Sequence, residues 1–241
     1  MTLTTSSRSR RPRLAAAVVI ATGLVSLQAC TDDSGGGSGS VEDTMAEAKQ
    51  QLDETSGVDI ALTTDKLPEG VEGILSAVGT GTKAPAFKGD LKVRVNNLTA
   101  EVPVVSVDGA VYAKLPFSTQ FVEVDPADYA APDPAELMAP EGGISSWLTE
   151  AEGVKQGDEV RSGDRVLTSY TGTLPGKSVA AVIPSADSGS QFDVEFRLDE
   201  DDKLVDAVLT GPFYGKKGEV TYDLELSGYG TSEDITAPTG Q

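Results

Sequence analysis

The stretch FKGDLKVRVNNLTAEVPVVSVDGAVYAKL, residues 87–115, decides the fold. In its first part, alternate positions are apolar or glycine on one side and charged on the other: Phe87, Gly89, Leu91, Val93 and Val95 against Lys88, Asp90, Lys92 and Arg94. A period of two predicts a strand with one dry and one wet face. Leu98 to Val104 predicts the next strand, and Asp108-Gly109 is a typical two-residue hairpin that leads to Val111, Ala113 and Leu115. The stretch therefore predicts an antiparallel meander.

The same alternation predicts eight more strands on either side of this meander. They lie at residues 58–62, 74–80, 121–124, 154–161, 165–173, 192–198, 204–210 and 220–229. Glycines at 79 and 81 in the second of them indicate a bulge or bend. Apolar residues at helical spacing predict a helix over 41–55, with Ser40 and Asp43 as a capping box. Short helices are expected between 133 and 148 and over 176–183. Mostly alternating strands, with helices grouped rather than interleaved, predict an antiparallel sheet with helices on one face, which is an α+β fold.

The N-terminus has the composition of an export signal. Four arginines and no acidic residue precede the apolar run Leu14–Leu27, which is shorter than the roughly 20 residues that span a bilayer. The run ends in Leu27-Gln28-Ala29-Cys30, which resembles the lipobox of bacterial lipoproteins. In such precursors the cysteine receives a diacylglyceryl group and becomes the new N-terminus. We predict a signal peptide at 1–29, then a lipidated Cys30 and a flexible Gly/Ser linker at 30–40. Ser9-Arg10-Arg11 leaves both the general and the twin-arginine export routes open.

Charge limits the partners of the exported chain. Without the four signal arginines, 15 basic residues face 38 acidic ones, a net charge of −23. Such a surface repels nucleic acid, so no nucleic-acid partner is expected. About 200 residues follow the linker, enough for one domain with a substantial core. That domain is expected over 41–230, followed by a disordered C-terminal tail at 231–241.

The chain lacks the residues of common catalytic centres. It contains no histidine and a single cysteine, which excludes Ser-His-Asp and Cys-His catalysis. The segment TGTLPGKS at 171–178 ends like a phosphate-binding loop, but only three residues separate its glycines, so a strand-to-helix turn is predicted instead. The acidic run 199–203 lacks the glycine and terminal glutamate of a calcium loop and is interpreted as a solvated hairpin turn. No enzyme activity, cofactor or metal site is predicted.

Three segments resemble a known family: FKGDLKVRV (87–95), VDGAVYAKL (107–115) and DPAELMAPEGGISSWL (133–148). With the order of elements around them, they are similar to the LppX/LprA/LprF/LprG group of actinobacterial envelope lipoproteins. The resemblance implies a strongly bent antiparallel half-barrel, like that of LolA and LolB, with helices covering its concave face over a hydrophobic cavity. It also implies a carrier of acylated lipids or glycolipids, of the triacylglycerol or lipoglycan type, that works at the outer face of the cytoplasmic membrane with a membrane efflux transporter.

The candidate pocket has two parts. Its floor is the apolar side of the meander, because the charged side must face water: Leu91, Val93, Val95, Val102, Val104, Val111 and Ala113. Its cover is the apolar side of the helical pieces: Leu137, Ile144, Trp147, Leu148, Val179, Val182 and Ile183. An ordinary packed core would use the same residue types. The rival hypothesis is a tethered module that docks on an envelope protein and binds no lipid, and a polar-solute binder would need convergent polar groups that are not identified.

Overall fold

The computed structural model describes residues 40–239, in which 11 antiparallel strands form one sheet. The strands are β1 Gly57–Thr63, β2 Gly73–Thr82, β3 Ala86–Val95, β4 Leu98–Val107, β5 Ala110–Ala113, β6 Val122–Val124, β7 Glu152–Ser162, β8 Arg165–Pro175, β9 Gln191–Leu198, β10 Leu204–Gly211 and β11 Val220–Ser227. The helices are α1 Val41–Glu54, α2 Ser146–Glu150 and α3 Gly176–Val182, with 3₁₀ helices at Pro126–Tyr129, Pro134–Met138 and Gly215–Lys217. The predicted number and order of strands are confirmed. In the part of the chain described, no helix has the length and apolarity that a membrane span requires.

The strand order is β6-β5-β4-β3-β2-β1-β11-β10-β9-β8-β7. The first six strands form one meander and the last five another, and the pairing of β1 with β11 joins them into one open sheet. Neighbouring strands all run antiparallel, as the pattern predicts. The predicted α+β architecture is therefore confirmed.

Helix α1 begins at the predicted capping box. The Ser40 hydroxyl accepts from the Asp43 amide at 3.2 Å, and the Asp43 carboxylate accepts from the Ser40 amide at 3.2 Å. Two backbone donors at the helix start are thus satisfied by side chains. Met45, Ala48 and Leu52 of α1 are buried against the sheet. The helix ends at Glu54, one residue before the predicted end.

Pairing registers assign every strand residue to one of two faces. Leu91 lies opposite Ala77 on one side and Val102 on the other, whereas Lys92 lies opposite Glu101. Residues directly opposite in antiparallel strands share a face. We call the face that carries Leu91 and packs against the helices the inner face, and the face that carries Lys92 the outer face.

Two glycines let β2 and β3 approach closely on the inner face. Gly79 and Gly89 are direct register partners, and a Cβ on either would collide with the Phe87 ring and with backbone atoms. The predicted bulge lies elsewhere in β2, where the register shifts between Ile74 and Ser76. These glycines therefore serve close packing under Phe87, and the irregular pairing arises nearer the start of the strand.

The two motif-like segments are ordinary connections. Strand β8 runs through Pro175 directly into α3 at Gly176, which confirms the strand-to-helix turn. The acidic run 199–203 is the turn between β9 and β10: the Asp199 carboxylate accepts from the amides of Asp201 and Lys203, each at 3.0 Å. The predicted hairpin turn is confirmed.

Residues 231–239 differ from the disordered tail expected at 231–241. Ile235 is buried on the outer face against Ala86, Val105 and Val107. Near it, Glu233 pairs with Lys88 at 2.6 Å. Because the outer side of β4 ends in apolar residues, the tail gains stability by covering them. Residues 240–241 lie outside the described part of the chain.

A buried carboxyl on the outer face makes stability depend on pH. Asp206 is 7% exposed, and although Arg197 Nη1 lies 3.2 Å from its Oδ1, that oxygen has no hydrogen-bond partner. Burial raises the pKa of Asp206 to about 6, against the lowering effect of Arg197, while Asp223, Glu195 and Glu225 add to the rise. The fold therefore favours the protonated form, and stability is lost as pH rises through about 6.

We expect Asp206→Asn to stabilise the domain at pH 7 by about 1–3 kcal/mol, because each pKa unit corresponds to about 1.4 kcal/mol. The gain should vanish below about pH 4, where the parent carboxyl is protonated in both folded and unfolded chains. Urea unfolding between pH 4 and 8 measures this. The exposed Asp193 of β9 provides the control Asp193→Asn. Lower stability of Asp206→Asn at pH 7 would show that the Arg197 attraction outweighs the burial cost.

Candidate ligand-binding site

The structure separates the candidate pocket residues into two clusters. All seven cover residues belong to the main core: Ile144, Trp147, Leu148, Val179 and Val182 are buried in it, and Leu137 and Ile183 pack against it. Six floor residues form a second cluster on the inner face of β3–β5: Leu91, Val93, Val102, Val104, Val111 and Ala113. The cover residues therefore form part of the main core, where the helices pack on the sheet. The floor residues form a separate surface.

We call this second surface the inner groove: Leu91, Val93, Val102, Val104, Val111, Ala113, Leu115 and Val124. The first two and the last two of these are only partly buried. Leu115 and Val124 were absent from the predicted floor, although the alternation Val111, Ala113, Leu115 already indicated the former. Val124 is found through the register, because it lies opposite Val111.

One end of the inner groove is closed by polar and apolar contacts. The Ser106 hydroxyl of β4 is fully buried and donates to Asp133 Oδ1 at 2.5 Å. Asp133 also accepts from the Ala135 amide and so caps the 3₁₀ helix Pro134–Met138. Met138 of that helix packs over Gly81, where a side chain would collide with it. We call residues 125–139, which contain this helix, the cover segment.

The other end of the inner groove is open and apolar. Val95 lies on the same face of β3 as Leu91, but 42% of its surface is exposed. Its register partner Leu98 is 72% exposed. The predicted floor residue Val95 therefore lies at the rim of the groove, outside its cluster. An apolar surface that continues from buried to exposed residues is suited to an apolar ligand that enters from this end.

The length of the inner groove suits an extended hydrocarbon chain. Along β4, the apolar surface runs six residue steps from the floor residue Val104 to the exposed Leu98, which corresponds to about 20 Å at 3.3–3.4 Å per residue. One leaflet of a bilayer's hydrocarbon core, roughly one acyl chain deep, measures about 15 Å. The groove thus offers one acyl chain an apolar surface along most of its length.

Polar contacts tie the helices over the main core to one another. The Ser145 hydroxyl donates to Asp53 Oδ1 at 2.5 Å, and Lys49 donates to the Pro140 carbonyl at 2.8 Å. The Trp147 indole N–H donates to the Ser178 carbonyl at 3.3 Å, which joins α2 to α3. These helices therefore form a fixed lid over the main core.

A cleft separates the cover segment from the end of α3. It has a volume of about 280 Å³ and is lined by residues that include Pro126, Asp133, Leu137, Ala181 and Val182. Pockets for drug-sized ligands measure about 300–1,000 Å³, so this cleft alone is small for a lipid with several acyl chains. Helices as short as those of the cover segment are marginal on their own, so their position depends on packing.

Buried tyrosines near the main core keep their protons. Burial, followed by the neighbouring Tyr214, holds the pKa of Tyr222 far above its ordinary value. Its hydroxyl is 2.7 Å from the Tyr214 hydroxyl and donates to the Ile74 carbonyl at 2.6 Å. Burial, followed by Asp199, likewise raises the pKa of Tyr229, whose hydroxyl donates to the Leu204 carbonyl. These hydroxyls thus act as neutral hydrogen-bonding groups in an apolar interior.

A curved antiparallel sheet, apolar on its inner face and covered by short helices, is the fold of a class of lipoproteins. More specifically, the sequence model of the LppX_LprAFG lipoprotein family matches residues 41–236, and the chain belongs to that family. The resemblance inferred from residues 87–148 is confirmed. As a member of this family, the protein is an envelope-associated lipoprotein.

Solved structures of two family members have the same fold. LprF from Mycobacterium bovis is 16% identical, with a TM-score of 0.68 over 83% of this chain and 97% of LprF. LppX from Mycobacterium tuberculosis is 18% identical, with a TM-score of 0.60 over 81% of this chain and 98% of LppX. A LolA superfamily protein from Nitrosomonas europaea gives a TM-score of 0.32 at 10% identity, over 82% of this chain and 96% of its own. No match was found among curated proteins.

Proposed function

We propose that this protein is a membrane-anchored lipid carrier. After removal of residues 1–29, a diacylglyceryl group on Cys30 holds it at the outer face of the cytoplasmic membrane, and the 30–40 linker lets the folded domain move. Its cargo is an acylated lipid or glycolipid of the triacylglycerol or lipoglycan type, which it carries across the cell envelope. A membrane efflux transporter is the proposed delivery partner. Cys30 and most of the linker lie outside the described residues.

The observation that carries this proposal is the inner groove, an apolar surface that is closed at the Ser106–Asp133 end and open at the Val95–Leu98 end. An exposed apolar rim that leads to a buried apolar floor is unusual for a monomer without an apolar ligand. In the proposed complex, acyl chains lie along the floor and the polar headgroup remains at the open end. A larger cargo also uses the cleft beside Leu137 and Val182 after the cover segment moves.

The energetics suit transfer in both directions. Each buried CH₂ gains about 0.8 kcal/mol over water, so long acyl chains require an apolar container to cross an aqueous space. Relative to a bilayer the same chains gain almost nothing in the groove, because both environments are apolar. Loading and unloading are then nearly balanced, as a shuttle requires. The proposed role therefore needs binding and release, and no covalent step.

Native mass spectrometry tests the proposal directly. The domain, expressed in bacteria without its signal, is expected to carry a non-covalent mass of an acylated lipid that dissociates at higher collision energy. It should also take up a fluorescent acylated lipid from donor vesicles. A domain that is folded, free of lipid and unable to take up the probe would contradict carriage and favour a tethered interaction module.

A further inference from the structure

Phe117 is placed where neither packing nor backbone geometry favours it. It is fully exposed, at 107%, and has a φ of 69°. It is the third residue of a tight turn in which the Ser118 amide donates to the Leu115 carbonyl at 2.9 Å, with Pro116 as the second residue. A turn of this kind requires positive φ at its third position, where glycine is preferred. The fold itself thus gains nothing from a large aromatic side chain at this position.

The turn lies at the open end of the inner groove. The Lys114 amide donates to the Pro103 carbonyl, so the chain after β5 runs back toward the start of β4. Leu98 begins β4, and Val95 is its register partner at the end of β3. Together, Val95, Leu98 and Phe117 form what we call the apolar tip, and each of them is exposed.

Charge around the apolar tip differs from that of the whole chain. Residues 95–100 carry no charge, and in residues 114–121 the charged side chain is Lys114. By contrast, the loop between β1 and β2, at the same end of the sheet, carries Asp65, Glu69 and Glu72. The tip thus presents apolar side chains beside the Glu72 carboxylate, which accepts from the Asn96 amide at 2.8 Å, so its surroundings offer no net attraction to anionic headgroups. A partner recognised by this surface is apolar.

The described part of the chain begins at this same end of the sheet. Val41, at the start of α1, lines a cleft with Gly153 and Val154 at the start of β7. Because neighbouring strands alternate in direction, the start of β7 lies at the same end as the end of β3 and the start of β4. The described domain therefore begins at the same end of the sheet as its apolar tip.

We propose that Phe117, supported by Leu98 and Val95, inserts into the bilayer surface and places the open end of the inner groove against the lipid. This inference rests on the proposed lipid carrier, for which it supplies the docking contact with the donor membrane. Exposed aromatic side chains favour the membrane–water interface. Because insertion is driven by apolar burial, vesicle binding should change little with salt.

Vesicle partition of residues 31–241 tests this without the anchor, since that segment contains every described helix and strand. With vesicles of zwitterionic phosphatidylcholine, Phe117→Gly should partition about ten-fold more weakly than the parent. Its melting temperature should be equal or higher, because glycine suits the positive φ. Val78→Ala is the matched control, since Val78 is 59% exposed on the outer face of β2. Equal partition of Phe117→Gly and the parent, or no partition of the parent, would overturn the proposal.

Fluorescence quenching reports the insertion itself. Phe117→Trp should be quenched by vesicles with brominated acyl chains, while the parent should not, because its only tryptophan, Trp147, is 4% exposed. Val78→Trp is the control and should remain unquenched. An unquenched Phe117→Trp contradicts insertion even if lipid uptake is normal. If Phe117→Trp is quenched but the domain takes up no lipid, the lipid-carrier proposal is refuted and the proposed membrane contact still holds.

Discussion

Replacement of Cys30 by alanine should abolish stable membrane attachment. The chain has one cysteine, so without it no thiol can receive the diacylglyceryl group. We expect the variant to accumulate either as uncleaved precursor or as protein released from the membrane fraction. The loss of attachment should be nearly complete. Stable attachment takes two acyl chains, and a single inserted group gives only marginal, reversible binding. Fractionation, with mass analysis of the N-terminus and labelled palmitate incorporation, measures it.

Thr31→Ala provides the matched control for the anchor, since it alters the adjacent residue and leaves the thiol in place. That variant should be processed, labelled and membrane-bound like the parent. The apolar tip contributes a reversible contact, so Phe117→Gly should leave the anchored protein in the membrane fraction. A Cys30→Ala protein that is still cleaved and retained would show that another element holds the protein there.

Local pattern was sufficient to predict strands in which apolar and polar residues alternate. In β9, for example, Phe192, Val194, Phe196 and Leu198 are buried, with more exposed residues between them. Each such strand can be identified from its own residues, without knowledge of its neighbours. The same holds for α1, whose capping box and buried Met45 and Leu52 lie within one segment.

Strand order decides which apolar residues share a cluster, and the local sequence pattern does not reveal this. Leu91 and Trp147 are both apolar and lie on predicted apolar faces, yet they belong to different clusters. The separation arises because β1 and β11 join the two meanders side by side, and the helices pack on the second of them. No local property of either residue reveals this. A single buried side chain such as Ile235, in an otherwise polar tail, likewise produces no periodic signal.

The second large expected effect is a loss of bound lipid when Leu91, on the floor of the inner groove, is replaced. We expect Leu91→Trp to lose most of its co-purifying lipid while its melting temperature stays within about 3 °C of the parent. Leu91 is only half-buried and lies on the floor between the closed and open ends, so an indole there occupies the space proposed for acyl chains. Native mass spectrometry and thermal unfolding of the same sample give both values.

Two further tryptophan variants make the result interpretable. Val194 is 3% exposed in the packed main core, so Val194→Trp should cost about 1–3 kcal/mol. For a domain of this size that corresponds to a melting temperature lower by roughly 2–12 °C. Val78→Trp, on the outer face of β2, should change neither lipid content nor stability. If Leu91→Trp instead destabilises the fold as Val194→Trp does, and the parent holds no lipid, the inner groove is ordinary core and the carrier proposal fails. Normal melting with lost lipid is expected only if the floor of β3–β5 is the surface on which acyl chains lie.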